Sequence, residues 1–179
     1  MTLSALHIRP SRPEDLPAIP RIYAWNVENG PGPFELDVPD EAEMARRRDD
    51  VLSRGLPWLV AERGGRVLGY AYANPFRPRR AYRFCLEDSI YLDPQARGQG
   101  VGKLLLAELI ARCEATGARQ MIAVIGDAAN AASLGVHRAL GFEMVGTMRS
   151  AGWKLDAWRD IVIMQRALGP GDAAPASDR

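Results

Sequence analysis

The chain has 179 residues, 47% of them hydrophobic and 25% charged, which suits a single soluble domain with a substantial core. A formal net charge of +1 exerts no global pull toward nucleic acid or an anionic membrane, and no apolar run approaches the ~20 residues of a membrane span. Cys85 and Cys113 lack metal spacing and only His7 and His137 could join them, so no metal is expected. Residues 1–7 lack the basic-then-apolar pattern of a signal peptide, and a reduced, cytoplasmic setting fits.

Residues 6–9 read as a short strand, punctuated by Pro10 and Pro13, with Ser11 placed to cap a helix. Leu16, Ile19, Ile22 and Tyr23 recur at helical spacing, predicting an amphipathic helix near 13–28 whose first turns are kinked by Pro17 and Pro20. The Asn-Gly-Pro-Gly-Pro stretch at 29–33 must be a loop. Asp40 to Met44 opens a second helix with acidic residues at its positive end; Arg46, Arg47 and Arg48, followed by Asp49 and Asp50, read as its solvated face. Strands are predicted at 57–62 and 67–73, joined by a Gly64-Gly65 hairpin turn. A proline- and arginine-rich bend leads to a central strand at 84–92, a helix at 102–113 and a strand at 120–125 apolar enough for burial on both faces. A helix at 130–140 stops at Gly141, and strands at 142–150 and 158–167 complete the domain. From Gly169 the tail has little to bury and is expected to be disordered, which leaves 1–168 as the folded unit. The order is mixed α/β, antiparallel in its front half, with a strand–helix–strand unit in the middle.

The most informative segment joins the central strand to the next helix: Asp93-Pro-Gln-Ala-Arg97-Gly98-Gln99-Gly100-Val101-Gly102-Lys103. Glycines let a ligand touch the backbone, and the unpaired amides of a helix start favour an anion. Lys103 is followed by Leu104 rather than a hydroxyl residue, which excludes a magnesium-binding P-loop. The glycine spacing also fails the Gly-x-Gly-x-x-Gly dinucleotide fingerprint.

With Arg97, Gly100 and Gly102 meeting a Gln/Arg-x-x-Gly-x-Gly/Ala signature, the chain resembles the GCN5-related N-acetyltransferase superfamily. A second matching block runs from Asn130 through Ser133, His137, Leu140 and Gly141 to Phe142. Further blocks, among them Ile8-Arg9-Pro10, Glu87-Asp88-Ser89-Ile90-Tyr91 and Gly146-Thr147-Met148-Arg149, extend the likeness over nearly the whole chain, to its phosphinothricin and methionine sulfoximine acetyltransferase branch. The resemblance implies an acyl-CoA N-acyltransferase fold, with a mixed, mostly antiparallel sheet of about seven strands and helices on both faces. It implies acetyl-CoA as co-substrate, its pyrophosphate on the loop of Arg97, Gly98, Gln99, Gly100, Val101, Gly102 and Lys103. Its pantetheine arm is expected beside Ile90, Tyr91 and Leu92, on a strand that splays from its neighbour, with help from Asn130 and Ser133.

Acetyl transfer needs a neutral amine, so a carboxylate must take a proton from the ammonium. Glu87, just ahead of the cofactor loop, is the candidate base, as is the matching glutamate in the branch. Alternation sets Cys85, Glu87, Ser89 and Tyr91 on one strand face and leaves Asp88 among Phe84, Leu86 and Ile90, hinting at a bulge or a special environment. A backbone amide at Ile90 or Tyr91 suits the oxyanion. His137 occupies the place where most superfamily members carry a tyrosine; it is either the proton donor to the departing thiolate or a structural histidine. Cys85 invites a covalent route, but with no histidine near it in sequence it reads as a small buried-strand residue.

Arg77, Tyr82 and Arg83, in the bend before Glu87, suggest capture of an anionic group on an amino-acid-like acceptor, and Phe34 and Glu35 match substrate-proximal residues of the branch. Another amine, such as a polyamine or peptide N-terminus, or a non-catalytic CoA-binding role, are the alternatives. Branch members are usually homodimers, and Trp153 and Trp158 flank a turn that could serve such an interface.

Overall fold

The computed structural model describes residues 4–177, so the first three residues of the N-terminal reading and the last two of the tail lie outside the described part. Seven strands form one sheet in the order β1-β2-β3-β4-β5-β7-β6. They are β1 (Leu6–Pro10), β2 (Trp58–Arg63), β3 (Arg66–Pro75), β4 (Cys85–Leu92), β5 (Gln120–Gly126), β6 (Glu143–Lys154) and β7 (Ala157–Ala167). Every pairing is antiparallel except β4 with β5, whose connection carries a helix, as a parallel crossover requires.

Helices α1 (Ala18–Asn29) and α2 (Glu41–Ser53) pack on one face, α3 (Val101–Ala115) and α4 (Ala131–Ala139) on the other. Ile19, Ile22, Tyr23 and Val27 form the buried stripe of α1; Leu105, Leu106, Leu109, Ile110 and Cys113 form that of α3. Asp40 caps α2 by accepting from the Glu43 amide at 2.7 Å, and Asn130 caps α4 by accepting from that of Ser133 at 3.3 Å.

The entry to α1 differs from expectation. A 3-10 turn at Pro13–Asp15 precedes a helix that begins only at Ala18, after Pro17. Pro20 lies in the first turn, where its missing N–H would have had no intrahelical partner. Ser11 caps nothing: its hydroxyl accepts from Arg48 Nε at 2.8 Å and its carbonyl from Nη2 at 2.9 Å. The arginine run is therefore not one solvated face. Arg48 is buried, and Arg47 reaches Glu43 and Glu35 at 2.6 Å each; Arg46 alone stays exposed.

β6 and β7 extend further than predicted because their turn is two residues long. Leu155 (φ 51°) and Asp156 (φ 52°) both adopt the left-handed conformation that matches hairpin twist. Past β7 the chain turns, and Arg119 donates to the carbonyls of Gly171 and Pro175 at 3.1 and 3.0 Å, a tether that the composition of this segment did not suggest.

Candidate active site

β4 and β5 pair over four steps, Cys85↔Gln120 to Asp88↔Ala123. Pairing then stops, although β4 stays bonded to β3 as far as Leu92 and β5 to β7 as far as Gly126. The two strands splay, and alternate residues of β4 from 89 to 92 direct N–H and C=O groups into the gap instead of a ladder. A cleft of about 850 Å³ fills this opening, well within the size that holds a small-molecule cofactor.

At one end of the cleft lies the start of α3. Gly98 (φ 73°) and Gly100 (φ 76°) take left-handed conformations, and no side chain caps the first turn, so its amides face the opening. Arg97, Gly98, Gly100, Val101, Gly102 and Lys103 line it. Arg97 stacks 4.2 Å over Trp25 and donates to Asn26 Oδ1 at 3.0 Å, which points a guanidinium with neutral neighbours at this end. Gln99 does not line the cleft; its side chain ties the loop together, accepting from Arg63 at 2.9 Å and donating to the Gln95 carbonyl at 2.7 Å. This helix start, with its free amides and flanking cations, fits a pyrophosphate. Ile90, Tyr91 and Leu92 wall the middle of the cleft with Ile125 and Val136, and Asn130 and Ser133 lie at its α4 side.

At the other end stands Glu87, half-buried on the α1 side of β4. Burial, and then Asp88 beside it, raise its pKa above the usual glutamate range, while Arg77 pulls it back. A carboxylate so shifted and lining a cleft has the character of a general base. Phe34 and Glu35 close this end. A methyl group at Gly152 would lie 2.4 Å from the Phe34 ring, and one at Gly126 would lie 2.5 Å from the carbonyl oxygens of Pro31 and Gly32, so both glycines are demanded by close approach. Lys154, buried, donates to the Pro33 carbonyl and completes this clamp, a contribution that sequence reasoning missed. Glu35 accepts from Tyr23 Oη at 2.9 Å as well as from Arg47.

The bend arginines are placed differently. Arg77, Tyr82 and Arg83 do not line the cleft. Arg77 lies 4.6 Å from the Phe76 ring, close enough to act on Glu87; Tyr82 packs edge-on to the same ring. Arg83 stacks on Phe84 at 4.4 Å, carried by the 3-10 turn Arg80–Tyr82 to a separate hollow beside Arg54 and Thr116.

β4 alternates as expected, with no register shift against β3, so Asp88 is not in a bulge. Its special environment is His137: Nε2 lies 3.0 Å from Asp88 Oδ2, and both side chains are 2% exposed. Nδ1 lies 2.7 Å from the Ser133 carbonyl, and both residues border the cleft from the α3–α4 side. The gap thus joins two faces of the sheet, with Glu87 on one and His137 on the other. Burial raises the Cys85 thiol pKa and lifts that of Cys113 to about 12, which works against thiolate nucleophiles. Among the described residues no group of three or more potential ligands could hold a metal, and no helix is long and apolar enough to cross a membrane.

A splayed parallel pair, an uncapped glycine-rich helix start at one end of the gap and a shifted carboxylate at the other define an acyl-CoA-dependent acyltransferase. Residues 19–142 match the acetyltransferase (GNAT) family, and the chain belongs to it. Over 168 residues, 94% of this chain and 85% of the relative, it is 55% identical to a phosphinothricin N-acetyltransferase of Alcaligenes faecalis. It is 40% identical to an L-methionine sulfoximine/L-methionine sulfone acetyltransferase of Pseudomonas aeruginosa, covering 94% and 98% of the two chains. Among solved structures, a phosphinothricin acetyltransferase from Sinorhizobium meliloti in complex with acetyl-CoA superposes with a TM-score of 0.93, at 49% identity, covering 99% and 95%. The chain is an acetyl-CoA-dependent enzyme with the fold expected from its sequence.

Proposed function

We propose that this enzyme transfers the acetyl group of acetyl-CoA directly to the amine of a small amino-acid-like acceptor of the phosphinothricin or methionine sulfoximine type. The carrying observation is Glu87, half-buried with a raised pKa where the cleft leaves the strand gap. Glu87 takes a proton from the acceptor ammonium, directly or through water, and the freed amine attacks the thioester carbonyl. A β4 amide at Ile90 or Tyr91 donates to the oxyanion, and His137 protonates the departing thiolate. The α3 loop and Lys103 hold the pyrophosphate, and Asn130 and Ser133 flank the pantetheine. Arg77, whose charge acts on Glu87, meets the acceptor's anionic group together with Tyr82, its neighbour on the Phe76 ring, and Phe34 and Glu35 enclose the acceptor's side chain. Arg83 is left out of this reading, and Gln99 serves it only by shaping the loop.

A polyamine acceptor is the second reading, favoured by Glu35 lining the cleft where Arg77 and Arg83 do not. Its charge is already met by Arg47 and Tyr23, which argues for the first. Thiol release from acetyl-CoA should be fastest with phosphinothricin, methionine sulfoximine or a related amino acid among a panel that includes a polyamine and a peptide N-terminus. Faster turnover of the polyamine or peptide would overturn the acceptor assignment.

The enzyme works as a homodimer in the cytoplasm. Two free thiols accord with a reducing compartment. β6 is a twelve-residue edge strand, and it and β7 leave Met144, Val145, Met148, Trp153 and Trp158 more than half exposed, an apolar edge that a second copy would cover. Trp158→Arg should halve the mass seen by light scattering; an unchanged mass would place the interface elsewhere.

A further inference from the structure

The ring of Phe34, at the end of the cleft that Glu87 marks, is wedged between β5 and β6, the strands on either side of β7. One edge faces Gly152 on β6, where a methyl group would stand 2.6 Å from Cδ2 and closer still to Cε2. The opposite edge faces Gly126 on β5, where a methyl group would stand 3.0 Å from Cε1 and 2.5 Å from the carbonyl oxygens of Pro31 and Gly32. Neither glycine has a positive φ, so backbone conformation does not call for glycine at either place; only the approach of the 31–34 loop does. Lys154 follows Gly152 by two residues on the same face of β6, and its buried ammonium donates to the carbonyl of Pro33, the residue before the ring. On the other side of the ring, Glu35 accepts from Tyr23 and Arg47. The backbone that carries Gly152 is itself pinned. Between the pairs Met148↔Ile161 and Gly152↔Arg159, residues 149–151 of β6 bulge opposite Asp160, whose Oδ1 accepts from the Ser150 amide at 2.9 Å.

We propose that Gly126, Gly152 and Lys154 are positioning residues that fix the Phe34 ring as the wall limiting the bulk of the acceptor's side chain, a role that rests on reading Phe34 as part of the acceptor end. With backbone against both edges, the ring has no room to retreat from the cleft. Packed interiors resist such a shift, so an acceptor meets a rigid surface rather than an adaptable one. The seat therefore favours amino-acid acceptors with slender side chains over aromatic ones, and whatever moves the ring moves that limit. A methyl group added at Gly152 has to displace the ring by about 1 Å to reach ordinary contact distance. Because Gly126 blocks the far edge, the ring moves toward the cleft, and the space left for the acceptor shrinks.

Steady-state rates with methionine sulfoximine, methionine sulfone and phenylalanine as acceptors test the seat. Gly152→Ala should lower kcat/KM for the two slender acceptors by about tenfold or more, through KM, the scale that one methylene carries in a pocket. KM for acetyl-CoA should stay constant, a split that general loosening of the fold would not produce. Phe34→Ala should raise kcat/KM for phenylalanine relative to methionine sulfoximine by about tenfold or more. In the Phe34→Ala background Gly152→Ala should be silent, since no ring is left to displace. An acceptor KM unmoved by Gly152→Ala, or moved as much with Phe34→Ala present as without it, would overturn the proposal. If Gly152→Ala alone does not fold, rescue by Phe34→Ala with the acceptor profile of Phe34→Ala upholds the seat, and no rescue overturns it. An acceptor profile unmoved by Phe34→Ala would mean that acceptors do not meet this ring, which removes the acceptor-end reading and the seat with it.

Discussion

Replacing Glu87 by Gln should lower kcat by about 10²- to 10⁴-fold, the range that a positioned general base supplies, with acetyl-CoA binding unchanged. The substitution keeps the shape of a side chain that lines the cleft and removes only the site that accepts the proton. The acidic limb of the pH–rate profile should vanish with it. A stability effect of the opposite sign should accompany the loss. Burial and Asp88 raise the folded-state pKa of Glu87, so the folded protein binds this proton more tightly than the unfolded chain does. Ionising it therefore costs stability, fully above the folded pKa and not at all below the unfolded one. The variant should accordingly melt higher than the parent near pH 8 and match it near pH 4. Thermal unfolding at the two pH values and a single-turnover acetylation assay would check both halves. An unaltered kcat would remove Glu87 from the mechanism.

Replacing Gly100 by Val should raise KM for acetyl-CoA by roughly 10- to 100-fold with far less change in the chemical step. Gly100 sits at φ 76°, and a side chain there costs about 1–2 kcal/mol even though nothing lies within 4 Å of its Cβ position. That open space is where an anion approaches the α3 amides, so relief of strain and ligand access compete for it. Isothermal titration with acetyl-CoA reads the effect directly. Affinity equal to the parent's would mean that the loop does not hold the pyrophosphate.

The elements that rested on local periodicity and turn chemistry were legible in the sequence. The hairpin at Gly64-Gly65, the helix that opens at Asp40 and the helix stop at Gly141 depend on residues within a few positions of one another. What escaped was set by partners far along the chain. Arg48 is buried because Ser11 accepts from it 37 residues away, and nothing in an Arg-Arg-Arg-Asp-Asp run announces that. Asp88 was conspicuous as an acid on an apolar face, but its explanation stands 49 residues on, at His137. The glycine loop was readable, whereas the point at which β4 and β5 part was not, since ladder termination depends on how the sheet is built on either side. Arg83 misled for a related reason: it shares a bend with Arg77, and one short turn carries the two apart.

The parting of β4 and β5 bears on the protein's mechanics as well as its chemistry. The four strands before α3 and the three that follow make up the whole sheet, and across the boundary between them the halves share four residue pairs. A molecule seated in the gap that hydrogen-bonds to both margins would serve as a rivet between two plates. Its arrival would slow amide hydrogen exchange at 89–92 and 124–126 together, so occupancy and rigidity of the two plates become one measurable quantity.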